Sequence, residues 1–513
     1  MRLIGGLIDR TIRLAKRISR EPITPQTYQE QTLRRLLKTA QATAFGTHYH
    51  FDGILRSRNS MDTFQAIIPF SDYDSMYEKW WHRSVETEEE DVTWPGKIKY
   101  FALSSGTTGT PSKYIPVSKQ MIRAMQRAGT KCFFQMFRFG VHSDFFLRDM
   151  IMLGGSTSLV REGGYFVGDL SGINISKTPF WLRLTSKPGK EIAAIPDWNQ
   201  RLEKIAIEAP NWDVSSITGN PAWNRLMIQR ILEYHKADNI HQIWPNLQAF
   251  AHGGVAFEPY RASFDALLGK PIHYIETYLA SEGFIGYQTQ PNARTMSLVL
   301  SGGIFFEFLP FNDQNFDADG HIIGHPRALT VAQVQPDCDY ALVISTCAGA
   351  WRYLIGDTVR FKNVGTAEIV ITGRTKQYLS ICGEHISVGN MNQAVQHLQE
   401  TLGVVVTEFT VCAIPHQNGF LHKWYIAADQ AIDIAAAARI IDQELCRVND
   451  DYRVERSALL SIEVAAALPT HVFYDYMEAI GKIGNQHKFP RVMKQKQLEH
   501  WEAFLQTKQL SQR

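Results

Sequence analysis

The alternation of short apolar runs with amphipathic stretches restricts the fold more than any other feature of this chain. "DMIMLGG", "NLQAFAHGG" and "PIHYIETYL" read as buried strands that end in glycine or polar residues. Helical repeats lie around them. "QTYQEQTLRRLLKTAQATAFG" predicts a helix stopped by Gly46, and "SKQMIRAMQRAGTKCFFQMF" predicts one capped by Ser118. "DWNQRLEKIAIEAPNW" and "PAWNRLMIQRILEYHKADN" repeat the pattern, with Pro221 suited to a first turn. Strand followed by helix, several times over, predicts a layered α/β domain.

From about residue 299 the pattern turns strand-rich: "LVLSGGIFFEFLPF", "YALVISTCAGAWRYLIGDTVRFK" and "AEIVITGR". This predicts a β-rich subdomain beside the main sheet. Near residue 373 the pattern changes again. "GRTKQYLSICGEHISVGNMNQAVQHLQETLG" reads as a polar turn, a short strand and a helix; "VVVTEFTVCAIP" and "HKWYIAADQ" read as strands and "AAAARIIDQELCRVNDDYR" as a helix. The expected organisation is α/β: a large N-terminal layered α/β domain over residues 1–372, containing the β-rich subdomain at about 299–372, and a small α+β domain over 373–513. A length of 513 residues exceeds what one hydrophobic core usually serves, which agrees with two domains.

Composition excludes several classes. With 44% hydrophobic and 20% charged residues and no low-complexity tract, the chain can build large cores. A net charge of +2 supplies no field for nucleic acid. The six cysteines are scattered, with no Cys-x-x-Cys pair, so a reducing, cytoplasmic setting is expected rather than a disulfide framework. No apolar stretch is long enough to span a bilayer. The segment "MRLIGGLIDRTIRLAKRISRE" is basic and amphipathic and predicts a surface helix packed on the domain, with transient membrane contact the alternative and no stable insertion. His-Glu-x-x-His and Gly-x-Ser-x-Gly are both absent, which disfavours metallo- and serine hydrolases.

The stretch "SSGTTGTPSK", residues 104–113, poses the functional question. Glycines allow tight turning and close approach of backbone N–H groups to a ligand; Ser/Thr hydroxyls add rotatable donors and Lys113 adds a cation. The set suits a polyphosphate, although neither the Walker pattern nor G-x-G-x-x-G is present. A solvated surface turn satisfies the same composition.

In spacing, "SSGTTGTPSK" resembles the phosphate loop of the adenylate-forming enzymes: acyl-CoA synthetases, luciferases and nonribosomal adenylation domains. Further stretches are similar to that superfamily's motifs, in its order. "TYLASEG" (277–283) looks like the adenine and magnesium motif, and "WRYLIGDTVRF" (351–361) like the strand with the ribose-binding aspartate. "TGRTKQYLSICGE" (372–384) looks like the hinge into a small mobile domain, and "IGNQHKFPRV" (483–492) like the catalytic-lysine segment. Tyr-x-Ala-Ser-Glu followed by "FFEFLPF", together with Asn-Gln-x-Lys-x-Pro-Arg, narrows the resemblance to the acyl acid amido synthetase family, whose plant members conjugate auxin and jasmonate to amino acids. The likeness covers essentially the whole chain. The hinge lacks the Asn- and Asp-rich plant version, and Leu354 stands where plant members carry a second basic residue.

The resemblance implies a site. Ser104, Ser105, Gly106, Thr107, Thr108, Gly109 and Lys113 would meet the β- and γ-phosphates of ATP. Glu282 would hold Mg²⁺, a hard ion that prefers carboxylate and phosphate oxygens. Tyr278, beside Thr277, would lie against adenine unless it is a core aromatic, and Gly253 and Gly254 would line the adenosine side unless they form an ordinary strand-to-loop turn. Asp357 would accept both ribose hydroxyls, its two oxygens matching a vicinal diol; as an ordinary turn residue it would do neither. Arg374 would contact ribose or phosphate, or make a hinge ion pair. Lys488 would be the mobile cation that bridges the attacking carboxylate and the α-phosphate, with Lys482 its nearest competitor and a solvated lysine the plain alternative. Met121, Met125, Phe133 and Phe134 are candidates for an acyl-pocket wall or for core. His273, His385 and His487 offer no clear base for the amine.

The implied function is ATP-dependent amide synthesis from a small carboxylic acid and an amino acid, by a monomer, with Glu282, Asp357 and Lys488 carrying catalysis. A thioester-forming acyl-CoA ligase and a non-catalytic nucleotide-binding relative are the alternatives. Nucleic acid is not an expected partner.

Overall fold

The computed structural model describes residues 24–104, 113–154, 157–178, 180–254, 257–317, 320–375, 378–379, 384, 386–416, 419–449, 452–453, 456, 460–482 and 488–508. The basic N-terminal helix expected over the first 21 residues lies outside the described residues. The fold is mixed α/β and divides into two compact units. The first comprises Met1–Gly254, Leu268–Asn315 and Gly324–Val370; the second comprises Val255–Leu267, Phe316–Ile323 and Ile371–Arg513.

In chain order, the strands up to residue 374 are β1 (Tyr100–Ser104), β2 (Lys113–Val117), β3 (Asp149–Leu153), β4 (Val160–Glu162), β5 (Tyr165–Gly168), β6 (Ser186–Lys187), β7 (Val214–Gly219), β8 (Ala249–Gly253), β9 (His273–Ala280), β10 (Gly283–Tyr287), β11 (Met296–Leu298), β12 (Ile304–Pro310), β13 (Asp339–Thr346), β14 (Tyr353–Asn363) and β15 (Glu368–Arg374). Eleven of them make one sheet in the order β12-β13-β14-β15-β11-β10-β9-β8-β7-β3-β6. The run β6-β3-β7-β8-β9 is parallel. Parallel neighbours need crossovers, and helix Pro221–His235 supplies the one from β7 to β8. It starts where the Asn220 side chain accepts from Ala222 N, with Pro221 in the first turn as expected.

At β9 the sheet changes character. β9 and β10 form a hairpin, β11 pairs antiparallel with β10 and β15, and β12, β13 and β14 are antiparallel in turn. The strand-rich segment therefore does not stand beside the main sheet, as its pattern suggested; its strands β12–β15 belong to that sheet, beyond the antiparallel β10 and β11. Composition identified the strands but not their partners, and the join runs through the short strand β11. A second sheet, β2-β1-β5-β4, carries the hairpin β1–β2.

The first helix ends at Ala40, not at Gly46. Thr43 caps a separate turn of helix, Ala44–His48, that contains Gly46. A β-carbon at Gly46 would lie 2.1 Å from the Ala40 carbonyl oxygen, so glycine permits the second helix to abut the end of the first. The Ser118 cap is as expected: its hydroxyl accepts from Met121 N at the start of helix Lys119–Gln135. The core of this unit gathers around Trp351, which stacks on Phe45 and meets Phe51 edge-on, its indole N–H donating to Thr93 O at 3.1 Å.

In the second unit β16 (Tyr378–Leu379) pairs with β17 (Ile386–Ser387), and β18 (Glu408–His416), β19 (Gly419–Ala427) and β20 (Leu460–Leu468) form a three-stranded sheet. Strand alternation divides its faces. Phe409, Val411, Trp424 and Ile426 pack with helices Val388–Leu402 and Ile434–Val448, while Cys412, Tyr425 and Ala427 pack with helices Thr470–Ala479 and Gln495–Thr507. Helix Glu258–Asp265 also belongs here, although it lies between β8 and β9 in the chain and the sequence pattern assigned it to the large domain. The cause is burial: Tyr260 places its hydroxyl on Glu408 of β18. Among the described residues no helix is long and apolar enough to cross a membrane.

Candidate active site

β1 and β2 frame the glycine–hydroxyl loop. Ser104 and Lys113 are direct cross-strand partners; Ser105, Gly106, Thr107, Thr108 and Gly109 lie outside the described residues. The Lys113 ammonium sits 5.2 Å from the centre of the Tyr73 ring, and the Tyr73 hydroxyl accepts from Tyr114 N at 2.9 Å. Tyr73 tilts against Trp81, which tilts against Tyr353 at the start of β14. A continuous aromatic path thus links the exit of the loop to β14.

Glu282 occupies the turn between β9 and β10 and is nearly buried, with 9% of its surface exposed. The Tyr353 hydroxyl donates to it. Burial first, then the charge of Glu282, hold that hydroxyl well above its ordinary pKa, so it remains a donor. Among the described residues no group of three His, Cys, Asp or Glu could cage a metal ion. A single carboxylate still fits Mg²⁺, which is usually held by one or two carboxylates with phosphate oxygens and water.

The Tyr278 hydroxyl donates to Asp357 Oδ2, joining β9 to β14. Tyr278 is 6% exposed, belongs to the core cluster and orients Asp357 through its hydroxyl. Asp357 itself is re-aimed by an irregularity in β14. Leu354 opposes Val343 and Thr358 opposes Ala341, so Ile355, Gly356 and Asp357 face a single residue of β13. Such bulges bend a strand and turn a side chain out of alternation. Gly356 has φ of 86°, in the left-handed region that favours glycine. Gly356→Ala is therefore expected to cost about 1–2 kcal/mol, read by urea denaturation, with Gly356→Asn milder because Asn tolerates this conformation; an alanine variant as stable as the parent contradicts the bulge geometry.

Gly253 is the register partner of Thr277. A β-carbon there would lie 2.3 Å from the Thr277 carbonyl oxygen, so close strand approach alone demands glycine. Gly254 follows at φ 89°, and the Thr277 hydroxyl donates to His252 O at 2.9 Å. Met121 and Met125 are core, whereas Phe133 and Phe134 are half-buried in an aromatic cluster with Phe145, Phe146 and Phe284. Burial lowers the pKa of His273, and His385 and His487 lie outside the described residues.

The first unit thus gathers Gly253, Thr277, Tyr278, Glu282 and Asp357 by direct pairing or through Tyr353. Arg374 and Lys488 belong to the second unit, and both are exposed. The sequence reading missed Tyr353 and Arg352. The signal was there: Tyr353 precedes Asp357 in one motif by four residues, and Glu307 was already part of "FFEFLPF", but only the fold pairs Glu307 with Arg352.

The chain matches the GH3 family N-terminal domain over residues 15–203 and 161–272, the GH3 family central domain over 297–374 and the GH3 family C-terminal domain over 389–497. It is 21% identical over 540 residues to the jasmonoyl–L-amino acid synthetase JAR4 of Nicotiana attenuata, covering 90% of each chain. It is 26% identical over 278 residues to the indole-3-acetic acid-amido synthetase GH3.4 of Arabidopsis thaliana, covering 49% of this chain and 45% of that one. Among solved structures, the GH3.15 acyl acid amido synthetase superposes with a TM-score of 0.74 at 15% identity over 93% of both chains. A 2-hydroxyisobutyryl-CoA ligase in the postadenylation state superposes with a TM-score of 0.58 at 13% identity, over 94% of this chain and 91% of that one. At these identities the structural likeness is one of fold.

Proposed function

This chain belongs to the GH3 family, and we propose from that premise that it is an ATP-dependent acyl acid amido synthetase, an AMP-forming ligase. A carboxylate cannot be attacked directly by an amine, because an oxide dianion cannot leave. In the proposed first step the acid's oxygen attacks the α-phosphorus of ATP; an O–P bond forms, pyrophosphate departs, and an acyl-adenylate results. In the second, the amine of an amino acid attacks the acyl carbon and AMP departs. The first step sets an anionic nucleophile against an anionic phosphate, so fixed cations and oriented donors are what the protein must supply.

The proposed roles follow. Ser104, Ser105, Gly106, Thr107, Thr108, Gly109 and Lys113 receive the β- and γ-phosphates. Gly253, Gly254, Thr277 and the Tyr278 ring border the adenosine, and Asp357, held by the Tyr278 hydroxyl, accepts the ribose hydroxyls. Glu282, held by Tyr353, is the residue that would hold Mg²⁺, whose chemistry there is to neutralise phosphate charge. Arg374 contacts ribose or phosphate, and Lys488 bridges carboxylate and α-phosphate. The proposed setting is the cytoplasm, with the enzyme acting as a monomer.

The observation that supports this most is the Tyr278–Asp357 hydrogen bond. It joins two motif residues 79 positions apart, and Glu282, nearly buried four residues after Tyr278, accepts from Tyr353 on the strand that carries Asp357. The test is mass spectrometry of the products after incubation with ATP, Mg²⁺, pooled carboxylic acids and amino acids. We expect acid-dependent pyrophosphate and AMP together with an amide mass. A thioester formed with CoA and no amide would replace the amide step with acyl-CoA ligation. ATP binding by calorimetry with no AMP for any acid would remove catalysis altogether.

A further inference from the structure

Lys488 is exposed, but the residues directly after it are pinned. Phe489 is buried among Phe473, Tyr476 and Trp501, at ring separations of 4.7, 5.9 and 5.3 Å. Pro490 fixes its own φ. Arg491 O accepts from Val411 N at 3.0 Å, and Met493 N donates to Val411 O at 2.9 Å, so the segment joins β18 as a short parallel bridge. These contacts tether the backbone.

A buried polar set then adds direction. Arg491 Nη1 donates to Glu408 Oε2 at 2.5 Å and to Phe409 O at 3.2 Å, and the guanidinium lies 4.4 Å from the centre of the Phe409 ring. The other carboxylate oxygen of Glu408 accepts the Tyr260 hydroxyl. Burial, then the charge of Glu408, push that hydroxyl well above its ordinary pKa, so it stays a donor. The Arg491 and Glu408 side chains are only 12% and 5% exposed. Buried charge of this kind is weak evidence for stability, because desolvation offsets the attraction; fixing one geometry is a use attested in some proteins. The apolar anchors Phe489 and Met493 already tether the segment without it.

We infer that Tyr260, Glu408 and Arg491 are positioning residues for Lys488: they fix the direction in which the backbone leaves the lysine, so that its ammonium is delivered to the adenylation step with little conformational search. The inference rests on the proposed role of Lys488. A misplacement of about 1 Å in such a group can cost on the order of 100-fold in rate.

The test uses the full-length enzyme and the acid that gives most product in the pooled screen. It compares Arg491→Met, Arg491→Lys, Glu408→Gln, Tyr260→Phe and the double variant Glu408→Gln/Arg491→Met, which leaves no unpaired buried charge. Three quantities are read: acid-dependent ATP–pyrophosphate exchange, aminolysis of the separately prepared acyl-adenylate, and the melting midpoint. We expect exchange kcat to fall roughly 10- to 100-fold in Arg491→Met and in the double variant, with the KM for ATP within twofold, partial recovery in Arg491→Lys, and native aminolysis. Exchange and aminolysis falling together, or a lowered midpoint with native kcat, would make the set merely structural and overturn the inference. Lys488→Ala, measured alongside, separates the two layers: if it exchanges normally, the role of Lys488 itself fails.

Discussion

Glu307→Ala is expected to destabilise the first unit by about 3–5 kcal/mol, the usual cost of stranding one member of a buried ion pair. The Glu307 carboxylate is fully buried, and the Arg352 side chain is 5% exposed. Arg352 Nε donates to both carboxylate oxygens, at 3.1 and 3.2 Å. Its Nη1 donates to Gln65 O and Ile68 O at 2.8 and 2.7 Å, and its guanidinium covers the Phe70 ring at 4.0 Å. Gln65 Nε2 donates to Glu307 as well, at 3.0 Å. Burial pushes the Glu307 carboxyl up in pKa, with Arg352 and Gln65 pulling it back. Removing the carboxylate leaves a guanidinium in a dry site with only carbonyl partners.

The pair also bears on the site. Arg352 has φ of 43°, its N–H donates to Ser345 Oγ at 2.9 Å, and its carbonyl accepts from Ser71 N at 3.0 Å. It therefore sets how β14 begins, one residue before Tyr353. Native-state hydrogen exchange of β13 and β14 amides measures the loss locally, without assuming that two units unfold as one. Glu307→Gln, which keeps the shape and one acceptor, should lose less, and the double variant Glu307→Leu/Arg352→Met should recover most of the loss because no charge is stranded. A Glu307→Ala protein within about 1 kcal/mol of the parent would mean that the pair does not carry the load that burial assigns it.

Lys488→Ala should lower acid-dependent ATP–pyrophosphate exchange by roughly 10²–10³-fold, the typical effect of deleting one preorganised group that stabilises transition-state charge. The melting midpoint should not move, because the side chain is exposed while the neighbouring Phe489 supplies the burial. Lys488→Arg should recover little: a planar fork on a different stem does not replace a compact ammonium at a bridging position. Lys482→Ala, the control at the nearest lysine, should stay within about twofold, as surface changes usually do. Asp357→Ala should raise the KM for ATP, since the ribose hydroxyls lose their acceptor. Exchange that survives both Lys488→Ala and Asp357→Ala would end the assignment of the site.

What could be read before the fold was known follows from range. The Ser118 cap and the Pro221 start rest on contacts within one turn, and both appear as expected. The resemblance of "WRYLIGDTVRF" to a family motif, rather than any local contact, pointed to a strand with its aspartate, and β14 contains both. The Gly46 stop failed even at short range, because its glycine answers to the Ala40 carbonyl of a neighbouring helix rather than to its own. At Gly253 the Thr277 carbonyl on the adjacent strand requires glycine, a cross-strand contact that no local pattern shows.

The amino-acid order alone located the main strands and helices, the Ser118 and Pro221 helix starts, and the kinds of chemical group available at each motif, because periodicity, caps and turn chemistry act over a few residues. Only the tertiary structure decided that the late strands complete the early sheet, that Tyr278 serves Asp357, that Glu307 pairs with Arg352, and that Tyr260 and Arg491 share Glu408 across 148 and 83 positions. Those pairings are selected by burial. A charge or hydroxyl taken out of water must find its partner wherever the fold delivers one, and local sequence does not encode that address.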